Sequence, residues 1–137
     1  VRVKSIHLNR TFVKCAVAGS DVCLALAGIK YDELRKGMAL LSAEAKPRAV
    51  REFEADIFIL HHPTTIRPGY QAVIHVHSVR QAAEFMEIHG KPVLRTGDRA
   101  KVRFGFLYRP EYVVEGQKFV FREANAKGIG VITKILG

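Results

Sequence analysis

The sequence predicts an all-β protein, a closed barrel or sandwich of short strands. Three features predict it. Apolar and polar residues alternate with a two-residue period along most of the chain, the pattern of a strand with one buried face. Turns containing glycine or proline punctuate that alternation at regular spacing. Helical periodicity is nearly absent. Short strands spaced in this way close into barrels or pair as sandwiches.

Val1 to Leu8 alternates, with Val1, Val3 and Ser5 on one face and Arg2, Lys4 and Ile6 on the other. Thr11 to Val17 and Asp21 to Ala27 read as strands joined at the tight-turn signal Ala18-Gly19-Ser20. Tyr31 to Gly37 is short and charged, a single helical turn feeding a strand from Met38 to Ser42. Ser42 to Arg51 is a polar connector around Pro47, and a domain boundary is expected there. Phe53 to Leu60 is strongly β-prone. His61 to Gly69 is a loop, because Pro63 and Pro68 supply no ladder hydrogen bond. Gln71 to Ser78 alternates again. Gln81 to His89 has the composition of an amphipathic helix (Ala82, Ala83, Glu84, Met86, Glu87), with a strand as the competing reading. His89-Gly90-Lys91-Pro92 and Thr96-Gly97-Asp98 are turns. Ala100, Val102, Phe104 and Phe106 share one strand face, and Phe119 and Phe121 share another. Gly130 to Leu136 closes the chain.

The 137 residues suffice for one medium domain or two small ones, and 48% hydrophobic content supports a buried core. No apolar run approaches the roughly 18 residues of a membrane span. The first residues alternate and do not read as a signal peptide. A cytoplasmic location without membrane contact is therefore expected. Net charge is +9 and the pI is near 9.9. That balance suggests an anionic partner, with nucleic acid the commonest; the alternative is a solvated cationic surface. The basic residues are dispersed, so any RNA site has to be assembled by the fold. The two cysteines, Cys15 and Cys23, sit among small or aliphatic residues and read as buried free thiols.

The sequence holds no catalytic constellation. A phosphate-cradling Gly-x-x-x-x-Gly-Lys-Ser/Thr loop is missing. Gly128-Ile129-Gly130 lacks the helix of a dinucleotide fingerprint, and close backbone packing is the better reading. His75 and His77 are two residues apart on one strand face, yet a metal site needs further ligands that the sequence does not indicate. Ser78, His75 and Asp98 form no supported triad. Arg99, Lys101 and Arg103 line the outward face of one strand, and Lys118 and Arg122 that of another. Side by side in a barrel they would form a cationic stripe whose binding releases counterions.

Several quoted runs, in order, carry a family resemblance. Val3-Lys4-Ser5-Ile6-His7, Ala18-Gly19-Ser20-Asp21-Val22, Gly28-Ile29-Lys30 and Leu34 to Met38 come first. Arg51 to Leu60, Gly69 to Ser78, Gly97-Asp98-Arg99-Ala100, Phe119 to Glu123 and Gly128 to Ile132 follow. The chain resembles the C-terminal part of the elongation factor Tu and elongation factor 1-alpha family. Ala55 to Ile66 and Arg109-Pro110-Glu111-Tyr112 look closest to its GTP-binding protein 1 and 2 branch, elongation-factor-like GTPases linked to aminoacyl-tRNA binding and RNA surveillance.

The resemblance implies a six-stranded Greek-key type β-barrel over 49–137, like the third domain of elongation factor Tu. A partial second β-barrel domain precedes it over 1–48. It favours a strand at Gln81 to His89. It implies a chain without catalysis of its own that grips the acceptor and T-stem of aminoacyl-tRNA or another structured RNA. The GTPase domain of the same protein is a further implied partner, and the ribosome another. GTP and magnesium would belong to that GTPase domain; no cofactor or metal is expected in this chain. Carried over by position, His77 and Ser78 sit at the strand end facing the T-stem, with His75 on the same strand. Arg122, Glu123 and Lys127 lie near the same backbone, and Arg10 approaches the aminoacyl end. The turn Ala124 to Gly128 lacks the family's paired glycines. The alternative is a protein-docking module in RNA surveillance with little direct RNA binding.

Overall fold

In the computed structural model, residues 1–42, 44–45 and 47–137 are described, and they fall into two compact units, Val1–Arg35 and Lys36–Gly137. The first is a three-stranded antiparallel sheet in the order β2-β1-β3, made of β1 (Arg2–Leu8), β2 (Thr11–Val13) and β3 (Cys23–Ala27). Asn9 and Arg10 turn the chain between β1 and β2 with φ of 52° and 66°. Two consecutive left-handed residues match the right-handed twist of the flanking strands. Tyr31–Glu33 forms the expected helical turn, of the 3-10 type.

Two expectations fail over residues 1–48. Met38 to Ser42 is not a strand. It finds no ladder partner among the described residues, and Met38, Leu40 and Leu41 stay exposed. Cys15 and Cys23 are free, as expected, but exposed. A three-stranded sheet is too small to enclose them. The connector expected over Ser42 to Arg51 includes Ala43 and Lys46, which lie outside the described residues.

The second unit is the barrel. Its strands are β4 (Glu52–His61), β5 (Gln71–Val76), β6 (Val79–Ile88), β7 (Arg99–Phe106), β8 (Lys118–Glu123) and β9 (Ala126–Ile135), closed in the order β4-β7-β6-β5-β8-β9. All the pairings are antiparallel. β5, β6 and β7 form a meander, and β4 lies beside β7, the Greek-key arrangement. Gln81 to Ile88 is strand. Pairing with β5 and β7 on both sides overrides the helical propensity of its residues.

Alternation sorts the side chains. Phe53, Ala55, Ile57 and Ile59 of β4 point inward, as do Val102, Phe104 and Phe106 of β7 and Phe119 and Phe121 of β8. The phenylalanines interlock: Phe85 meets Phe104 edge-on at 4.6 Å, and Phe85 and Phe121 are 5.4 Å apart. Such edge-to-face pairs stabilise beyond their burial. The two glycines of Gly128-Ile129-Gly130 face Phe121 and Phe119 across the β8–β9 ladder. A Cβ at Gly128 would overlap the Phe121 ring, so the close-packing reading of this motif holds.

Candidate functional site

The outer face of the barrel divides by charge. On β7, Arg103 pairs with Glu52 at 2.8 Å and Lys101 approaches Asp56 at 3.9 Å, both acids being on β4. His89 adds a 3.5 Å contact to Glu54. Arg99 lies over the Phe58 ring at 5.0 Å. The cationic stripe expected from β7 and β8 together does not form. In the closed order β7 and β8 are three strands apart, and Lys101 and Arg103 of β7 are offset by carboxylates of β4.

The other flank keeps its charge. Arg122 stands opposite Lys127 across the β8–β9 ladder, and opposite Val73 across the β5–β8 ladder. His75 lies two residues along β5 on the same outward face, with Arg80 of β6 opposite it. Arg80, Arg122 and Lys127 are exposed, and none takes part in an ion pair among the described residues. Partial burial, then the charges of Arg80 and Arg122, hold the His75 imidazole below its ordinary value. His75, Arg80 and Arg122 line a groove of about 670 Å³, floored by small or aliphatic residues that include Val73 and Ala82. Glu123 borders it and accepts a hydrogen bond from the Tyr70 hydroxyl at 3.3 Å. Burial, followed by the Glu123 charge, pushes Tyr70 up to about 12.

The structure brings His75, Arg122, Glu123 and Lys127 together and leaves His77 and Ser78 apart. These two form the tight turn between β5 and β6, His77 with φ of 50°. They are exposed at the opposite end of β5 from Arg122. His77 lies four steps along the chain from Val73, about 13 Å of strand. His75 and His77 therefore do not share a strand face. Among the described residues no group of three potential metal ligands forms. Arg10 belongs to the first unit, where it lines a groove of about 510 Å³ with His7, Asn9 and Asp21.

A second, apolar groove of about 940 Å³ crosses β4, β9 and β8. One cross-strand row runs Arg99, Phe58, Ile129, Val120, His75. Leu60, Ile129 and Val131 are 40%, 44% and 38% exposed there, and Lys101 and Lys118 rim it.

Comparison with known proteins gives this barrel its relatives. A family model described as GTP-eEF1A C-terminal domain-like matches residues 52–133, from β4 into β9. The chain belongs to that family. As a GTP-eEF1A C-terminal domain-like chain it is similar to "GTP-binding protein 1" of Xenopus laevis, 47% identical over 136 residues, 99% of this chain and 21% of that protein. It is similar to "GTP-binding protein 2" of Mus musculus, 46% identical over 135 residues, 98% of this chain and 22% of that protein. "Elongation factor 1-alpha" of Thermofilum pendens is 31% identical over 129 residues, 94% of this chain and 28% of that protein. The chain thus spans between 21% and 28% of the length of these curated relatives. It is an elongation-factor-like C-terminal region. Among its described residues no helix is long and apolar enough to cross a membrane.

Sequence reasoning missed Arg80, which this family member places opposite His75. The signal was available. A two-residue turn at His77-Ser78 fixes the hairpin register, so position 75 has to face position 80.

Proposed function

We propose that this chain is the non-catalytic, RNA-holding region of an elongation-factor-like GTPase, binding aminoacyl-tRNA along its acceptor and T-stem backbone. One observation carries the reading: Arg122 and Lys127 face each other without a carboxylate partner among the described residues, in a member of an elongation-factor family. Opposed like charges cost stability in an antiparallel pair, and an anion between them relieves that cost. A groove with a small, apolar floor and a cationic wall suits a sugar-phosphate backbone. A-form RNA is recognised there through phosphates and 2′-hydroxyls, without base readout. Arg10 would lie toward the aminoacyl end, and His77 and Ser78 would extend the contact along β5. GTP and magnesium would be held by a GTPase domain of the longer protein; the relatives named GTP-binding protein 1 and 2 support the GTP part of this.

The apolar groove of Phe58, Val120, Ile129 and Val131 is the face for that GTPase domain. Its volume exceeds that of the basic groove, which favours a second reading, a protein-docking module in RNA surveillance with little direct RNA contact. Titrating aminoacyl-tRNA against the chain at increasing salt separates the two. RNA binding should weaken steeply with salt. Absence of binding at low salt, with salt-insensitive binding of an isolated GTPase domain, would favour the docking module.

A further inference from the structure

The β5–β6 hairpin brings to the basic groove an arginine, Arg80, that lies outside the sequence runs carrying the family resemblance. Arg80 stands directly opposite His75. On the other side of β5, β8 pairs Val120 with His75 and Arg122 with Val73, one outward row away. Directly opposed residues hold their Cβ atoms roughly 5 Å apart. His75 is thus flanked by a guanidinium group from each neighbouring strand. Both arginines are exposed and outside the ion pairs among the described residues.

We infer that Arg80 and Arg122 form a two-pronged seat for one phosphate of the RNA backbone, and that His75 between them takes up a proton when that phosphate binds. The inference rests on the RNA-binding reading above and deepens it. Guanidinium groups present forked donors that match phosphate oxygens. Two of them converging from separate strands fix a phosphate in position, which a single flexible lysine does not.

The charged groups around His75 come from three elements. β6 contributes Arg80 and, farther along, Glu84, which pairs with Gln71. β8 contributes Lys118, Arg122 and Glu123, the last engaged by the Tyr70 hydroxyl. The turn after β5 contributes His77. Partial burial, and after it the charges of Arg80 and Arg122, keep the free imidazole below its ordinary 6.5. At neutral pH His75 is therefore uncharged. A phosphate in the seat offsets one of the two guanidinium charges and offers the ring an anionic acceptor, which favours the imidazolium. The proton passes from hydronium or a buffer acid to the free ring nitrogen: the donor's bond to hydrogen breaks and a ring N–H bond forms. Since the bound state holds the proton more tightly than the free state, affinity rises as pH falls between the bound and free midpoints.

The test uses this 137-residue chain and a synthetic RNA hairpin with a duplex stem. Ring-proton NMR follows the His75 midpoint with and without the hairpin, and titrations give affinity against salt. The hairpin should raise the His75 midpoint. Arg80→Gln should weaken binding severalfold and lower the slope of log K against log salt by about one. Arg80→Lys should recover the slope but only part of the affinity, since it keeps the charge and loses the fork. His75→Gln should flatten the pH dependence. If the hairpin binds but leaves the His75 midpoint unmoved, the proton uptake is wrong. If Arg80→Gln binds like the parent while Arg122→Gln is weakened, the seat is wrong and RNA binding still stands. If the parent chain binds no hairpin at low salt, both readings fall together.

Discussion

Arg122 and Lys127 stand directly opposite each other beside the turn of the β8–β9 hairpin, two positive charges in register with no ion-pair partner among the described residues. Structure alone gains nothing from this pairing; opposed like charges destabilise a strand pair by a few tenths of a kcal/mol. Lys127→Gln should therefore leave Tm unchanged or slightly raised. It should also weaken RNA binding and lower the salt slope by about one. Calorimetry combined with RNA titration checks both arms, and a clear fall in Tm would make Lys127 structural.

Gly128 admits the Phe121 ring where any side chain would overlap it. Gly128→Ala should destabilise the barrel by about 1–3 kcal/mol, the usual cost of overpacking a filled core. Adding Phe121→Leu should recover part of that loss in urea unfolding. Two purely additive losses would mean that the ring and the glycine do not bear on each other.

Gln81 is buried and holds the chain that leaves β7. Its Oε1 accepts from the backbone N–H groups of Tyr108 and Arg109 at 2.8 and 2.9 Å, and its Nε2 donates to the Arg109 carbonyl at 3.0 Å. Gln81→Leu strands these groups and should cost about 2–3 kcal/mol. Hydrogen exchange at Tyr108 and Arg109 should quicken ahead of exchange within β4.

Tyr70 gives a pH signature. Its folded-state value is about 12 against an ordinary 10.0, so the folded state holds this proton more tightly. The associated stability is complete below pH 10.0 and is lost as pH rises toward about 12. Glu123→Gln removes the neighbouring charge and should bring the tyrosinate absorbance transition of Tyr70 to lower pH. An unmoved transition would leave burial as the sole cause.

Ile129 is exposed beside Phe58 and Val120. Ile129→Asp should alter stability by about 0.5 kcal/mol or less, as surface changes do. It should also abolish binding of a GTPase domain while RNA affinity persists. Loss of both activities would mean that the two grooves are one site.

The barrel was legible because alternation is a local signal. Phe53, Ala55, Ile57 and Ile59 announce an inward face whatever their neighbours are. What escaped depends on pairing across the chain. Ala82, Ala83, Glu84 and Met86 prefer helices, and only the ladders to β5 and β7 settle them as strand. Met38 to Ser42 is apolar enough for a strand and finds no ladder among the described residues. For the cations, alternation indicated that Lys101 and Lys118 face outward, but the ring order decides which lie together. The basic groove was half legible: Arg122, Glu123 and Lys127 sit in one motif, whereas Arg80 enters through hairpin register. His77 and Ser78 share a strand's sequence with His75 and are nonetheless carried to its far end by the turn.

The ring order has a kinetic consequence. With β7 and β8 on opposite sides of the barrel, its surface has a compensated back and an uncompensated front. A polyanion diffusing nearby exerts a torque on such a body before any atoms touch, turning the β5–β8–β9 side toward itself. The arrangement of strands thus shapes the encounter as well as the grip. Productive collisions become more frequent, and added salt slows capture even where it leaves the release rate unchanged.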